Sequence, residues 1–193
     1  MTKQYGFVVD VSRCTGCRTC AVACKDAHNL PVGLNLRRVL EEASGSWRQD
    51  RMTGAWHQDV RAWYVSIACN HCENPACVKF CPTKAHYKRA EDGLVVIDRD
   101  KCIGCGMCAQ ACPYGAPQLD EKARKMMKCD GCLDRLEKGG APICVEACPQ
   151  RAISFGEISE LRRTFGTLAV TPPLPDPAQT RPALVIVPSP KAK

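Results

Sequence analysis

Two stretches of the sequence repeat one cysteine spacing: "CTGCRTCAVAC" from Cys14 and "CIGCGMCAQAC" from Cys102. The sixteen cysteines of the 193-residue chain fall into four quartets with none left over. Group one is Cys14, Cys17, Cys20 and Cys24, and group three is Cys102, Cys105, Cys108 and Cys112, both spaced x2-x2-x3. Group two, Cys69, Cys72, Cys77 and Cys81, is spaced x2-x4-x3. Group four is Cys129, Cys132, Cys144 and Cys148, with eleven residues between its second and third members. Three thiolates this close let one loop wrap three iron corners of a cube, while a fourth, opening the next segment, faces a neighbouring cube. Structural zinc prefers two separated Cys-x-x-Cys knuckles. Group four alone could pass for that, but adjacent thiols in one short loop, as in groups one and three, do not enclose a single ion tetrahedrally. Disulfide frameworks spread their cysteines, and these are clustered. The chemistry indicated is four [4Fe–4S] clusters.

The x2-x2-x3 run is the bacterial ferredoxin spacing, whose fourth cysteine ligates the other cluster of a pair. Between groups two and three, "PTKAHYKRAEDGLVVIDRDK" holds an E-D-G turn and an apolar run, which reads as a short hairpin. That makes groups two and three a compact pair and leaves groups one and four for each other. Crossed ligation then expects Cys14, Cys17, Cys20 and Cys148 at site one, and Cys24, Cys129, Cys132 and Cys144 at site two. Site three takes Cys69, Cys72, Cys77 and Cys112, and site four takes Cys81, Cys102, Cys105 and Cys108. The spacing alone would also permit groups one and two to pair. Gly16, Gly104 and Gly131 follow a first cysteine at the same offset, where a missing Cβ lets backbone approach a cluster. Pro82, Pro113 and Pro149 follow the last cysteine of groups two, three and four; group one has Lys25 there.

The elements that must position these loops make an α+β fold of two nested bacterial-ferredoxin-like modules with a β-hairpin insertion and an extended C-terminal tail. The outer module spans 1–33 and 113–166, the hairpin insertion 34–68, the inner module 69–112 and the Pro-rich tail 167–193. In the insertion, "LNLRRVLEE" and "AWHQDVRAWYVSIAC" are β-rich around a turn at Gly54, with Trp63, Val65 and Ile67 on one face. Trp47, Trp56 and Trp63 read as covers of a small core rather than electron relays. "GEISELRRTFG" has helical composition ending at Gly166. The prolines of "TPPLPDPAQTRPALVIVPSPKAK" leave a tail that is either disordered or laid along a partner.

The formal charge of +7 counts every thiol as neutral. Four clusters with four thiolates each add about eight negative charges, which turns +7 into about −1. The basic excess then compensates buried anions, and nucleic-acid binding is not indicated. Lys25, Lys79, Lys84, Lys101 and Lys128 flank cysteines, either as solvated charge or as compensation. His28 and His71 also lie beside cysteines and could be exposed partners for a quinol or a subunit. No apolar run approaches the roughly 20 residues of a membrane span. "MTKQYGFVVDVSRC" shows neither an apolar h-region nor twin arginines, so no export signal is expected here. No nucleotide fingerprint or nucleophile–base pair is present, so no catalytic residue is assigned.

Over nearly the whole chain, "QYGFVVDVSRCTGC", "SIACNHCENPACVKFCP", "CIGCGMCAQACPYGAPQ", "KCDGC", "PICVEACPQRA" and "FGEISELRR" resemble the iron–sulfur subunits of the molybdopterin-dependent dimethyl sulfoxide reductase family. The cysteine pattern is shared with the electron-transfer subunits of polysulfide, thiosulfate, tetrathionate, nitrate and formate enzymes. The resemblance implies a heterotrimer in which this chain, not itself catalytic, relays electrons between a menaquinol-oxidising membrane anchor and a molybdopterin catalytic subunit in anaerobic respiration. It also implies a peripheral position on the cytoplasmic membrane. The periplasmic face is expected, by co-export with a twin-arginine partner, and the cytoplasmic face is the alternative. A free polyferredoxin is the other reading.

Overall fold

The computed structural model describes residues 3–192. Strand β1 (Tyr5–Asp10) is the centre of a three-stranded sheet. Helix α1 (Thr19–Ala27) follows the first cysteine loop, and then come β2 (Arg38–Ser44), β3 (Trp47–Gln49), β4 (Trp56–Gln58) and β5 (Arg61–Ile67). The group-two loop leads into α2 (Ala76–Lys79), β6 (His86–Lys88) and β7 (Val95–Ile97). Group three leads into α3 (Met107–Ala111), β8 (Gln118–Asp120) and β9 (Lys125–Met127). Group four carries α4 (Leu133–Glu137) and α5 (Ile143–Glu146), followed by β10 (Ile153–Glu157), α6 (Ile158–Phe165) and β11 (Leu184–Val187).

The helices are short because the cysteine loops and prolines cut them. A residue before proline is driven out of the α region, and Cys112, before Pro113, is extended at φ −85°, ψ 112°, where it ends α3. Group one lacks that stop. With Lys25 in place of proline, α1 runs on past Cys24 for nine residues in all, and Lys25 Nζ folds back onto the carbonyls of Pro31 (2.6 Å) and Leu34 (2.9 Å).

Residues 38–67 pair β2 antiparallel with β5, and β3 with β4 beyond them. Alternation along β5 buries Trp63, Val65 and Ile67. Trp63 caps the core and donates Nε1–H to Pro172 O at 3.1 Å. Trp47 and Trp56 do not cover a core: they stand 62% and 61% exposed on the short outer hairpin. Three residues per strand, both strands exposed throughout, give that hairpin no buried face.

β1 pairs antiparallel with β10 and parallel with β11. Part of the Pro-rich tail is thus a strand of the sheet rather than a disordered segment. Its "ALVI", residues 183–186, is almost wholly buried in the sheet. The prolines bracket this apolar run rather than interrupt it, so β-branched residues can take a central-sheet partner. Farther up, the tail ties to the group-two loop, with Glu73 N donating to Arg181 O and Ala183 N to Asn70 O. Helix α6 packs on β1, β10 and β11 and caps at Gly166 (φ +91°).

Leu184, 1% exposed, tests this placement. Leu184→Ala should cost about 2–5 kcal/mol and lower the melting temperature of the cluster-loaded protein, while Lys191→Ala should stay within about 0.5 kcal/mol. An unmoved melting temperature in Leu184→Ala would take the tail out of the core.

Candidate metal centres

All sixteen cysteines are free thiols, and only Cys17 and Cys105 are exposed. Each quartet is shaped by one backbone device. The residue two positions after its first cysteine has left-handed φ: Gly16 (+74°), His71 (+44°), Gly104 (+70°) and Gly131 (+82°). This turn folds the chain back so that successive thiols converge. The sequence signals the device through three glycines but hides the fourth, because group two uses histidine, one of the few side chains that tolerate this region. At Gly104 a Cβ would also collide with the carbonyl of Arg124 on the β8–β9 hairpin.

His71 is fully buried and is not an exposed partner for a quinol or subunit. Its Nδ1 accepts from Val95 N at 3.0 Å, tying the group-two loop to β7. Burial, with the Lys128 and Lys88 charges, pushes its pKa well below the usual value, so it acts as a neutral strut. His28 is half-buried at the end of α1, with Nε2 3.5 Å from Cys132 Sγ. His28, Asp130 and Cys132 bring ligand atoms within 4.8 Å of one another.

The quartets meet across the chain. α1 packs on α5, joining groups one and four, and α2 packs on α3, joining groups two and three. One small cavity, of about 20 Å³, is lined by Cys14, Cys17, Cys20 and Cys148. A second, also about 20 Å³, is lined by Cys69, Cys72, Cys77 and Cys112, with Lys128 and Thr180 on its wall. Burial, and then the neighbouring Cys144 thiol, pushes Cys24 up to about 12. Burial likewise raises Cys132 to about 11, with Cys144 again beside it. Cys129 lies well above the ordinary thiol value through burial, with Cys69 and Cys144 adding to the rise. Cys108 is raised to about 11 by burial, with Cys102 and Cys105 contributing. Cys81 packs against the small core holding Cys77, Cys102 and Cys108. Burial pushes Cys81 up, but amides of His86, Ala85 and Thr83 and the Thr83 hydroxyl outweigh it and lower the pKa overall.

This donor set fits [4Fe–4S] clusters. The thiols are clustered, mostly buried and unbridged, and backbone amides already point at sulfur: Met126 N to Cys102 Sγ (3.3 Å), Gly131 N to Cys129 Sγ (3.4 Å) and Ala152 N to Cys148 Sγ (3.3 Å). Thiols raised this far stay protonated near neutral pH unless a metal displaces the proton. Two deeply buried cations accompany them. Arg37 is 2% exposed, and Lys128 Nζ donates to Val95 O and to Cys129 O, the latter at 2.9 Å. Arg37 is the residue that no motif marks. Its only signal is a place between Leu36 and the β2 strand, in a chain with surplus positive charge.

A family model described as "4Fe-4S dicluster domain" matches residues 60–158, and one described as "4Fe-4S binding domain" matches residues 11–27. The chain is 56% identical over 189 residues to the B subunit of the anaerobic dimethyl sulfoxide reductase of Escherichia coli (strain K12), covering 98% of this chain and 91% of that one. To the B subunit of the same enzyme in Haemophilus influenzae it is 50% identical over 191 residues, 99% and 92% of the two chains. The polysulfide reductase B subunit of Wolinella succinogenes is 34% identical over 193 residues, covering 98% and 96%. The chain therefore binds [4Fe–4S] clusters, and its sixteen thiols suffice for four.

Because the core is lined by these thiols, cluster loss and unfolding should be one event. Anaerobic chelation of a preparation holding about 16 irons per chain should remove far-ultraviolet circular dichroism and iron in a single transition. An iron-free protein that kept its native spectrum and melting temperature would contradict this.

Proposed function

The chain belongs to the family of anaerobic dimethyl sulfoxide reductase B subunits, the iron–sulfur subunits of these reductases, and from that premise we propose that it is the electron-transfer subunit of a membrane-bound molybdopterin S- or N-oxide reductase. In this reading the chain is not itself catalytic. It joins a menaquinol-oxidising anchor subunit to a molybdenum catalytic subunit in a heterotrimer, on the periplasmic face of the cytoplasmic membrane. The higher identity to the dimethyl sulfoxide enzymes than to the polysulfide enzyme favours the oxide substrates.

The observation that carries the reading is the junction between the two pairs of quartets. Cys129 of group four lies close enough to Cys69 of group two for the charge of one to raise the pKa of the other. Lys128 sits between them, its protonated form favoured by Cys69, Cys129 and Cys77 against the opposing effect of burial. The proposed sites then follow one another in a row: four, three, two, one. Each end of the row has one exposed thiol, Cys105 at site four and Cys17 at site one. When bound, each cluster takes up and passes on one electron. The residues supply the rest: the thiols hold the sites in sequence, the apolar core excludes water between them, and the exposed ends leave two faces for partners.

The proposed ligand sets are those of crossed ligation, with groups one and four nested around groups two and three. The four-thiol lining of each of the two cavities supports sites one and three. Cys144 lies close enough to Cys24, Cys129 and Cys132 to push each of them upward, which supports site two.

Paramagnetic resonance of single variants in the assembled complex tests the sets. Cys148→Ser and Cys20→Ser should damage the same cluster signal and stop quinol-to-molybdenum electron flow, while the remaining clusters still reduce. Should Cys148→Ser instead match Cys129→Ser, group four serves one cube and the crossed assignment fails.

A further inference from the structure

Arg37 is enclosed in the core and has no carboxylate partner among the described residues. Its guanidinium lies over the Phe7 ring, 4.8 Å from the centroid. Nη1 donates to Ser66 Oγ at 3.0 Å and reaches Ser66 O at 3.4 Å. Nε and Nη2 are buried with no hydrogen-bond partner. Arginine offers donors only, and buried donors of this kind are normally satisfied. A buried cation left alone in a low-dielectric interior is strongly disfavoured, so an anion must answer it. Burial opposes the charge on Arg37, and the groups that favour it are Cys144, Cys129, Cys20 and Cys24 once they are held as thiolates. Those four residues belong to proposed sites one and two, and all lie in the same buried cluster as Phe7.

Ser66 gives the charge a direction. Its Oγ is 3.3 Å from Cys20 Sγ. Arg37 can only donate to that oxygen, and a metal-bound thiolate can only accept. The hydroxyl hydrogen of Ser66 therefore points to Cys20, making a relay from guanidinium to hydroxyl to sulfur. Hydrogen bonds and positive charge at ligand sulfur stabilise the more negative, reduced form of a cluster.

We propose that Arg37 is the buried counter-ion of the two outer cluster sites and raises both reduction potentials, acting on the Cys20 site additionally through Ser66. Arg37 is a tuning residue in this role; it touches no substrate. The inference rests on the ligand sets proposed above. Because the cysteine variants assign each resonance signal on their own, failure of those sets and failure of this inference give different results.

The experiment is a redox-poised paramagnetic resonance titration of the purified complex with Arg37→Met, Arg37→Lys and Ser66→Ala. Arg37→Met should make reduction about tenfold less favourable at the Cys20 site and at the Cys129 site, a fall of about 59 mV for one electron. The signals assigned to groups two and three should hold their positions. Ser66→Ala should shift the Cys20 site alone, by about two- to tenfold, the worth of one hydrogen bond. Arg37→Lys keeps the charge and should restore the Cys129 site. Arg37→Met with unmoved potentials, or with all four lowered equally, overturns the inference and leaves Arg37 a packing residue. If Arg37→Met assembles no clusters, Ser66→Ala decides: an unshifted Cys20 site overturns the proposal.

Discussion

Packing sulfur against sulfur is the constraint on which this molecule depends. A thiol buried among other thiols has its pKa driven upward, to about 12 for Cys24, Cys72 and Cys77, by burial first and by its neighbours next. Bare thiolates are excluded from such a core, and the deprotonated sulfur it can hold is sulfur neutralised by metal. The large buried cluster holds Cys20, Cys24, Cys69, Cys129, Cys144 and Cys148 among Leu, Ile and Val, so the metal sites and the hydrophobic core are one object. Few helices here exceed five residues, and the core without cysteines is a small one, Val8, Ile158, Ala183 and Val185, between α6 and the sheet.

The same constraint explains the charge balance. A +7 chain would repel itself if the excess lay in solvent. Part of it is interior: Arg37 beside the outer thiols and Lys128 beside Cys129. Both are held by neutral oxygens, Ser66 for Arg37 and the Val95 and Cys129 carbonyls for Lys128, which orient a cation without cancelling it. A carboxylate in either place would cancel the cation and remove its field from the sulfur.

Cysteine spacing was legible because ligand geometry is local: in groups one, two and three, three thiols and a left-handed turn fit within a dozen residues. The burial of Trp63, Val65 and Ile67 was legible for a similar reason, since a strand face repeats every second residue. What could not be read depends on segments far apart. Arg37 is an ordinary strand-flanking arginine until Phe7, Ser66 and the group-four thiols close around it. Residues 183–187 carry a β-branched run, but nothing nearby names β1 as its neighbour. His71 conceals a glycine-like turn because its compensation, the amide of Val95, lies on another hairpin.

The central strand has a kinetic consequence. β1 finds its antiparallel partner in β10 and its parallel partner in β11, both near the other end of the described chain. Loop-closure entropy must be met before such distant contacts reward it, so pairings of this kind form late. The β6–β7 and β8–β9 hairpins close over short spans and can form early. Until the late strands arrive, β1 presents two open apolar edges, the template that promotes strand addition by other chains. The period between early hairpin formation and late sheet closure is therefore when a nascent molecule is most exposed to aggregation.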